Sequence, residues 1–282
     1  MKNKLFPCLW YNGNAKQAAE LYSKAFGNTV ITFDNGMVIL FEISGCKIMG
    51  LNGGPMFTPN ASISLFVLFV NEKELTAAWE KLTEGGTVFM PLNTYPWSEK
   101  YGWIQDMYGV SWQLMIAKPG LMEQKITPAL MFTQSMAGKA EEAMKLYTSL
   151  FPNSGVVDIS RYEKGEPDVE GTVKHGRFLL NGQLFVAMDS SAAHAFAFSE
   201  AVSISVSCHT QEEIDHYWNN LTADGGEESM CGWLKDKYGV SWQIVPSNIG
   251  ELMSDPVNGQ KAMQTLMGMK KIEIKNLASP SR

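Results

Sequence analysis

The chain has 282 residues, 45% of them hydrophobic, and carries a formal net charge of −6 at neutral pH. That length exceeds the size at which a single core usually splits, so two domains are expected, and the acidic balance excludes a nucleic-acid backbone as partner. Met1-Lys2-Asn3-Lys4 shows no signal-peptide pattern, and the longest apolar run, Leu65 to Val70, is far shorter than the ~20 residues of a membrane helix; a cytoplasmic protein with no membrane partner is expected.

The first predicted strand, Phe6 to Tyr11, contains a proline and precedes a helix starting near Asn14. Ala15, Ala18, Ala19, Tyr22, Ala25 and Phe26 recur at helical spacing and read as a core-facing stripe, and Gly27-Asn28 stops the helix. Val38 to Ile43 and Cys46 to Leu51 form strands joined by Ser44-Gly45. A further strand, Ile63 to Val70, leads into a second helix with Leu75, Ala78, Trp79 and Leu82, closed by Gly85-Gly86. Two more strands follow, starting with Trp103-Ile104-Gln105 and ending on Asp106-Met107-Tyr108-Gly109-Val110-Ser111-Trp112-Gln113-Leu114. Ala117-Lys118-Pro119-Gly120 reads as a linker.

The series then repeats. Thr127 to Phe132 is again a proline-containing strand, and the helix starting near Gly138 carries Ala140, Ala143, Met144, Tyr147, Leu150 and Phe151 on one face before Pro152-Asn153. Asn181-Gly182 marks a tight hairpin between Phe178-Leu179-Leu180 and Gln183 to Ala187. Val202 to Cys208 leads into a helix with Ile214, Tyr217, Trp218 and Leu221, closed by Gly225-Gly226. Asp236-Lys237-Tyr238-Gly239-Val240-Ser241-Trp242-Gln243-Ile244 restates the first motif 130 residues on. Each copy reads as strand, helix, three strands, twice over. The predicted domains are 1–120 and 121–282, the second ending in a tail, 247–282, read as a helix followed by a short extended piece, Lys271 to Lys275. Copy one has extra residues at Pro91 to Trp97 and copy two at Glu163 to Pro167; both read as rim loops, where binding modules vary specificity.

Leu234 to Pro246, Cys231-Gly232-Trp233, Asn181-Gly182-Gln183 and Thr210-Gln211-Glu212-Glu213 resemble the PhnB-like family, often labelled 3-demethylubiquinone-9 3-methyltransferase. That family belongs to the vicinal oxygen chelate superfamily, with glyoxalase I, bleomycin-resistance proteins and dioxygenases. The resemblance covers nearly all of 126–275 and, in a more diverged form, 5–116. It implies an α+β fold of tandem glyoxalase-like domains, each of two βαβββ modules forming a curved mixed sheet that cups a small molecule or a metal. It further implies that the two copies form an intramolecular pseudo-dimer and that the chain is monomeric.

In metal-dependent members of the superfamily each cup draws His, Glu or Gln from four strands. Carried onto this chain, the eighth-strand position falls on Gln113 and Gln243. The first falls at Pro7 and Pro128, the fourth near Met49-Gly50 and Ala187-Met188, and the fifth near Ser62-Ile63 and Ala201-Val202. One ligand per copy remains where a catalytic divalent ion needs about three, so neither a metal nor another cofactor is expected.

Ser111 and Gln113 alternate with Trp112 and Leu114, which sets a polar face against an apolar one. Gln113 and Gln243 read either as amides that orient a ligand or as partners for strand-end backbone groups. Trp103 and Trp233 stack on a planar ligand or join the core. Asn52 and Asp189 end their strands as polar rim groups, and His194 follows in the loop Ala192-Ala193-His194-Ala195; the other histidines, His175, His209 and His216, read as solvated surface. Cys231 lies beside Gly232-Trp233, where copy one has Tyr101, and the scattered cysteines make no zinc or disulfide framework. No nucleophile elbow, phosphate-cradling loop, His-Glu zinc pair or nucleotide-binding glycine turn is present, so nothing read from the residues supports methyltransferase activity. Two readings stand. One is metal-independent binding of a small, partly apolar molecule; the other is a metal-dependent lyase, isomerase or dioxygenase using His194, Asp189 or Glu42 with Gln243.

Overall fold

A computed structural model describes residues 4–117 and 124–278, so Lys118 to Gly120 of the expected linker lie outside the described residues. The chain divides into two compact units, one of residues 7–202 and one of residues 1–6 with 203–282.

The larger unit begins with the module β1 (Leu5–Tyr11), α1 (Ala15–Phe26), β2 (Thr29–Asp34), β3 (Val38–Ile43) and β4 (Cys46–Asn52), with β1 entering from the smaller unit. Its strands lie in the order β1-β4-β3-β2, with β1 parallel to β4. Asn14 is the N-cap of α1 and Gly27, at φ 76°, ends it, as the sequence predicts. Ser44 and Gly45 take φ values of 50° and 80°, and Asn181 and Gly182 take 50° and 77°. Two successive positive φ values are what a two-residue hairpin with the right twist requires.

The next two modules are β5 (Ile63–Phe69), α2 (Glu72–Thr83), β6 (Thr87–Tyr95), β7 (Ser98–Gln105), β8 (Ser111–Ile116), and β9 (Ile126–Phe132), α3 (Ala140–Leu150), β10 (Gly155–Arg161), β11 (Val173–Leu180), β12 (Gln183–Asp189). They share one eight-stranded sheet in the order β10-β11-β12-β9-β5-β8-β7-β6. At its centre β5 runs antiparallel to β9, Ser64 opposite Ala129 and Phe66 opposite Thr127. The second half of one sequence copy and the first half of the next therefore build a single sheet, and each module's first strand finds a partner instead of an open edge.

One face of this sheet is covered by helices. A Cβ on Gly102 would stand 2.5 Å from the Trp79 ring of α2, and one on Gly176 would stand 2.8 Å from Met144 Sδ of α3. Trp112 packs edge-on to Tyr22 of α1 at 4.8 Å between ring centroids, and Phe178 meets Tyr147 of α3 at 6.4 Å. The stripes read from the sequence are the buried ones: Ala15, Ala18, Ala19 and Tyr22 in α1, and Ala140, Ala143, Met144 and Tyr147 in α3. On the solvent side of α3, Glu141 pairs with Arg161 at 2.8 Å and Lys145 at 2.9 Å. Arg161, then Lys145, hold its carboxyl down at about 2. A carboxylate with a depressed folded pKa stabilises the fold above its unfolded value and loses that contribution as pH falls toward about 2. Glu141→Gln is accordingly expected to flatten the acid limb of the stability curve in urea titrations between about pH 4.5 and 2. Solvent screening keeps the whole effect below about 1 kcal/mol.

The smaller unit contains β13 (Val202–Cys208), entered at Ser203, then α4 (Gln211–Leu221), β14 (Glu227–Glu228), β15 (Trp233–Lys235) and β16 (Ser241–Pro246), ordered β14-β15-β16-β13. Thr210 caps α4 by accepting from the Glu213 amide at 3.3 Å, and Glu213 accepts in turn from the His209 amide at 2.7 Å. Lys4, only 8% exposed, pairs with the same Glu213 at 2.6 Å and ties the start of β1 to α4. The tail forms α5 (Ile249–Ser254), α6 (Gly259–Met267) and α7 (Ile274–Ala278). The extended piece expected at Lys271 to Lys275 is instead a turn into α7. Gln211 fixes that turn, donating to the Ile272 carbonyl at 3.0 Å and accepting from the Ile274 amide at 2.8 Å, while Ile272 is fully buried. Among the described residues no helix is long and apolar enough to cross a membrane.

Candidate functional site

The duplicated motif is chiefly a folding device. In the larger unit Asp106, 3% exposed, accepts from the amides of Tyr108 at 2.8 Å and Val110 at 3.0 Å, from Trp112 Nε1 at 2.8 Å and from Tyr22 Oη at 2.9 Å. Gly109 takes φ 88° between them. The carboxylate thus closes the turn between β7 and β8 and fixes the tryptophan on the helix side. The smaller unit repeats it: Asp236 accepts from the amides of Tyr238 and Val240 at 2.9 and 3.1 Å and from Trp242 Nε1 at 2.8 Å.

Only alternate residues of the motif reach the other face of the sheet. Because Gly102, Trp112 and Leu114 turn toward the helices, Tyr101, Trp103, Ser111 and Gln113 turn away, joined by Ser64 and Phe66 in register with Ser111 and Gln113. Here Gln113 is held at both ends of its amide: Tyr101 Oη donates to Oε1 at 2.8 Å, and Nε2 donates to Ser64 Oγ at 2.6 Å. Trp103 Nε1 donates to Ser111 Oγ at 2.8 Å. Gln113 is only 4% exposed, although α1, α2 and α3 lie on the opposite face. Burial drives the Tyr101 phenol far above its usual range, so it stays a neutral donor.

Around Tyr101 stands an aromatic group that sequence reading assigned to a rim loop. The extra residues Pro91 to Trp97 mostly continue β6, and bulges between Met90 and Tyr95 accommodate the proline and asparagine. Tyr95 and Trp97 stack at 5.1 Å, and both meet Tyr101 edge-on at 5.7 and 5.8 Å. Phe66 lies 6.4 Å from Tyr101, and Phe89 lies 5.0 Å from Trp103. The far half of the face is different. Ala129 and Thr127 on β9 and Val186 and Leu184 on β12 form a buried strip, followed on β11 by Leu179, Arg177 and His175. His175, expected at the surface, is half-buried, and burial lowers its pKa. Strand alternation would have placed Tyr101 beside Trp103, and His175 beside Arg177, from the sequence alone.

The remaining expected site residues have these surroundings. In the smaller unit Gln243 repeats the amide-to-serine bond, Nε2 donating to Ser203 Oγ at 2.8 Å, with Trp233 beside it in register. Cys231 sits at φ 60° with its amide on the Met269 carbonyl at 2.6 Å, and burial pushes its thiol up, away from thiolate chemistry. Asn52 accepts from the Ala15 amide at 2.9 Å and donates to the Gly36 carbonyl at 2.7 Å, so it caps α1. Asp189 accepts from the amides of Gly138, Ala140 and Val173 at 2.8, 3.0 and 2.9 Å and does the same for α3. His194 Nε2 lies 2.9 Å from Ser190 Oγ, and its ring lies tilted against Phe196 at 4.8 Å within its own loop. The donors nearest Gln113 are serine and tyrosine hydroxyls already engaged with its amide. Among the described residues no group of three or more His, Cys, Asp or Glu is placed to hold a metal. That donor set does not fit a catalytic divalent ion.

A family model described as 3-demethylubiquinone-9 3-methyltransferase matches residues 3–115 and again residues 124–245. The chain belongs to that family. The two matches coincide with the two sequence copies, as expected of a tandem PhnB-like member. A Bacillus cereus PhnB protein, titled as a 3-demethylubiquinone-9 3-methyltransferase, is 50% identical over 44% of this chain and 99% of its own, with a TM-score of 0.41. Glyoxalase I from Zea mays is 10% identical, spans 86% of this chain and 94% of its own, and superposes with a TM-score of 0.56. The second likeness shows a glyoxalase I-like fold spanning both copies, and only the fold. The search of curated proteins gave no match.

Proposed function

We propose that this family member binds a small, partly apolar molecule, without a metal, on the helix-free face of the β5–β12 sheet. The observation that carries the reading is the Tyr101–Gln113–Ser64 hydrogen-bond chain, centred on the residue to which the family resemblance assigns the eighth-strand ligand position. Gln113 has one donor and one acceptor function engaged there, and its amide fixes the Tyr101 ring at the centre of the aromatic group. Trp103 and its neighbours supply a flat apolar wall, and the residual amide functions supply orientation without chemistry. The smaller unit offers the parallel set Gln243, Ser203 and Trp233.

The reading is tested by native mass spectrometry of protein purified without an affinity metal. A retained or added aromatic molecule at about one per chain, with no stoichiometric metal, is the expected result; tightly bound Ni, Zn, Fe or Mn at one equivalent would overturn it in favour of a metal-dependent lyase, isomerase or dioxygenase. Robust methyl transfer would overturn it equally. Tyr101→Phe is expected to cost about 1–2 kcal/mol of stability, because it leaves a buried amide oxygen short of its donor, and Trp103→Ala to weaken ligand binding with the fold retained. The β5–β9 pairing already joins two modules within one chain, and light scattering is expected to report a monomer.

A further inference from the structure

The two helix-free faces share a plan and differ in chemistry. In the smaller unit Glu228 accepts from Trp218 Nε1 of α4 at 2.9 Å, and Glu228, Leu234, Trp242 and Ile204 follow one another in register across β14, β15, β16 and β13. That row marks the α4 side of the sheet, so the residues alternating with it leave on the other side. They form two rows: Trp233, Gln243 and Ser205, then Lys235, Ser241 and Ser203. Adjacent strands lie about 5 Å apart and the rows about 7 Å apart, so the six side chains span a patch of about 10 by 7 Å, within reach of one small molecule.

On the larger unit's face the same positions hold Trp103, Gln113 and Phe66, then Gln105, Ser111 and Ser64. Their polar groups are matched: Ser111 Oγ accepts from Trp103, the Gln113 amide accepts from Tyr101 and donates to Ser64, and Gln105 donates to the Pro59 and Gly109 carbonyls. In the smaller unit Ser205 stands where the larger has Phe66, Cys231 where it has Tyr101, and Lys235 where it has Gln105. Ser205 and Ser241 are 0% and 1% exposed, and neither Oγ has a hydrogen-bond partner among the described residues. A buried hydroxyl without a partner is unfavourable in the free protein and becomes favourable when a ligand oxygen meets it. Ser205 and Ser241 are diagonal neighbours about 8 Å apart along the sheet, a gap that two hydroxyls can bridge by each donating to one oxygen of a carboxylate. The carboxylate in register with Lys235, that of Glu227, is exposed on the edge strand β14.

Resting on the reading that these faces bind small molecules, we infer that the smaller unit's face takes a different ligand class from the larger: a planar molecule bearing a carboxylate. Its oxygens bridge the Ser241 and Ser205 hydroxyls within reach of the Lys235 ammonium, and its ring lies against Trp233. The larger face, with its hydroxyls already engaged and no cation in these rows, keeps the neutral aromatic ligand.

The probes are phenylacetate and its neutral isostere phenylacetamide, titrated calorimetrically into the full chain. Phenylacetate is expected to bind about tenfold more tightly than the amide, and Lys235→Gln to abolish that preference. Ser205→Ala and Ser241→Ala are each expected to weaken acid binding several-fold while the melting temperature of the free chain stays unchanged or rises, since each removes an unpaired buried hydroxyl. Equal affinity of the two probes for the wild type, or an acid preference that survives Lys235→Gln, would overturn the inference. Serine variants that melt lower and bind the acid as before would show the hydroxyls to be structural and would overturn it too. Trp103→Ala on the larger face is expected to leave acid binding unchanged; loss of acid binding there would place the acid on the larger face and refute the assignment. Amide binding lost in Trp103→Ala without any acid preference in the wild type sinks this inference and leaves the earlier reading standing, whereas binding of neither probe overturns both.

Discussion

Asp106→Ala is expected to lower the stability of the larger unit by about 4 kcal/mol in urea denaturation. The carboxylate accepts four hydrogen bonds, and three of their donors have no alternative: the Tyr108 and Val110 amides are fixed by the turn, and the Trp112 indole is fully buried. Tyr22 is the exception, because its hydroxyl already lies 3.0 Å from that of Tyr11 and can turn to it. Each buried donor left unpaired costs about 1–3 kcal/mol, and the losses are not additive because the four donors share one acceptor group. Asp106→Asn is no conservative substitute. Its amide nitrogen would face either the indole N–H or a backbone N–H, donor against donor, so more than half of the alanine loss is expected. Burial pushes the Asp106 carboxyl up despite its four donors; desolvation outweighs the hydrogen bonds, and no room is left for a missing partner. A carboxylate in this position that proved replaceable by alanine at under about 1 kcal/mol would show the motif to be decorative.

That arrangement explains why the most legible feature of the sequence said less about the site than about the fold. The motif recurs after 130 residues because Asp106 and Asp236, with Trp112 and Trp242, make the same closure in both units; within it only Ser111, Gln113 and their counterparts reach the other face. Helices and hairpins were legible because their signals are local: the alanine stripes, the Asn181-Gly182 turn and the Thr210 cap each act within a few residues. The β5–β9 pairing was not, since alternation records which way a side chain points and not which strand lies alongside. Asn52 and Asp189 illustrate the same limit. A polar residue at a strand end is spelled identically whether it meets a ligand or the first turn of a helix, and their partners, Ala15 and Ala140, are 37 and 49 residues distant. The continuation of β6 through Pro91 was masked by the proline, which a bulged outer strand tolerates. Tyr101 was within reach, because a strand register fixed at the Asp106 turn places it near Gln113 across the β7–β8 hairpin.

The paired glycines after each second helix carry two distinct requirements, and substitution separates them. At the first position the backbone is left-handed, φ 73° at Gly85 and 107° at Gly225, with no backbone atom close to the missing Cβ. Alanine there costs about 1 kcal/mol of strain. At the second position the obstacle is space. A Cβ on Gly86 would lie 2.5 Å from the Gln105 carbonyl oxygen and 2.8 Å from that of Leu82, and one on Gly226 would lie 2.6 Å from the Leu221 oxygen and 2.9 Å from that of Lys235. These are backbone atoms at the end of a helix and the end of a strand, and no rotamer change moves them aside. Gly86→Ala and Gly226→Ala are therefore expected to cost about 3 kcal/mol each, well above their neighbours; equal losses at the two positions of a pair would refute the close-approach argument. Gln105 ends the strand that carries Tyr101 and Trp103, so displacing its carbonyl moves the aromatic wall as well. In protein that remains folded, Gly86→Ala is expected to weaken binding of an aromatic probe, whereas Gly85→Ala leaves it unchanged.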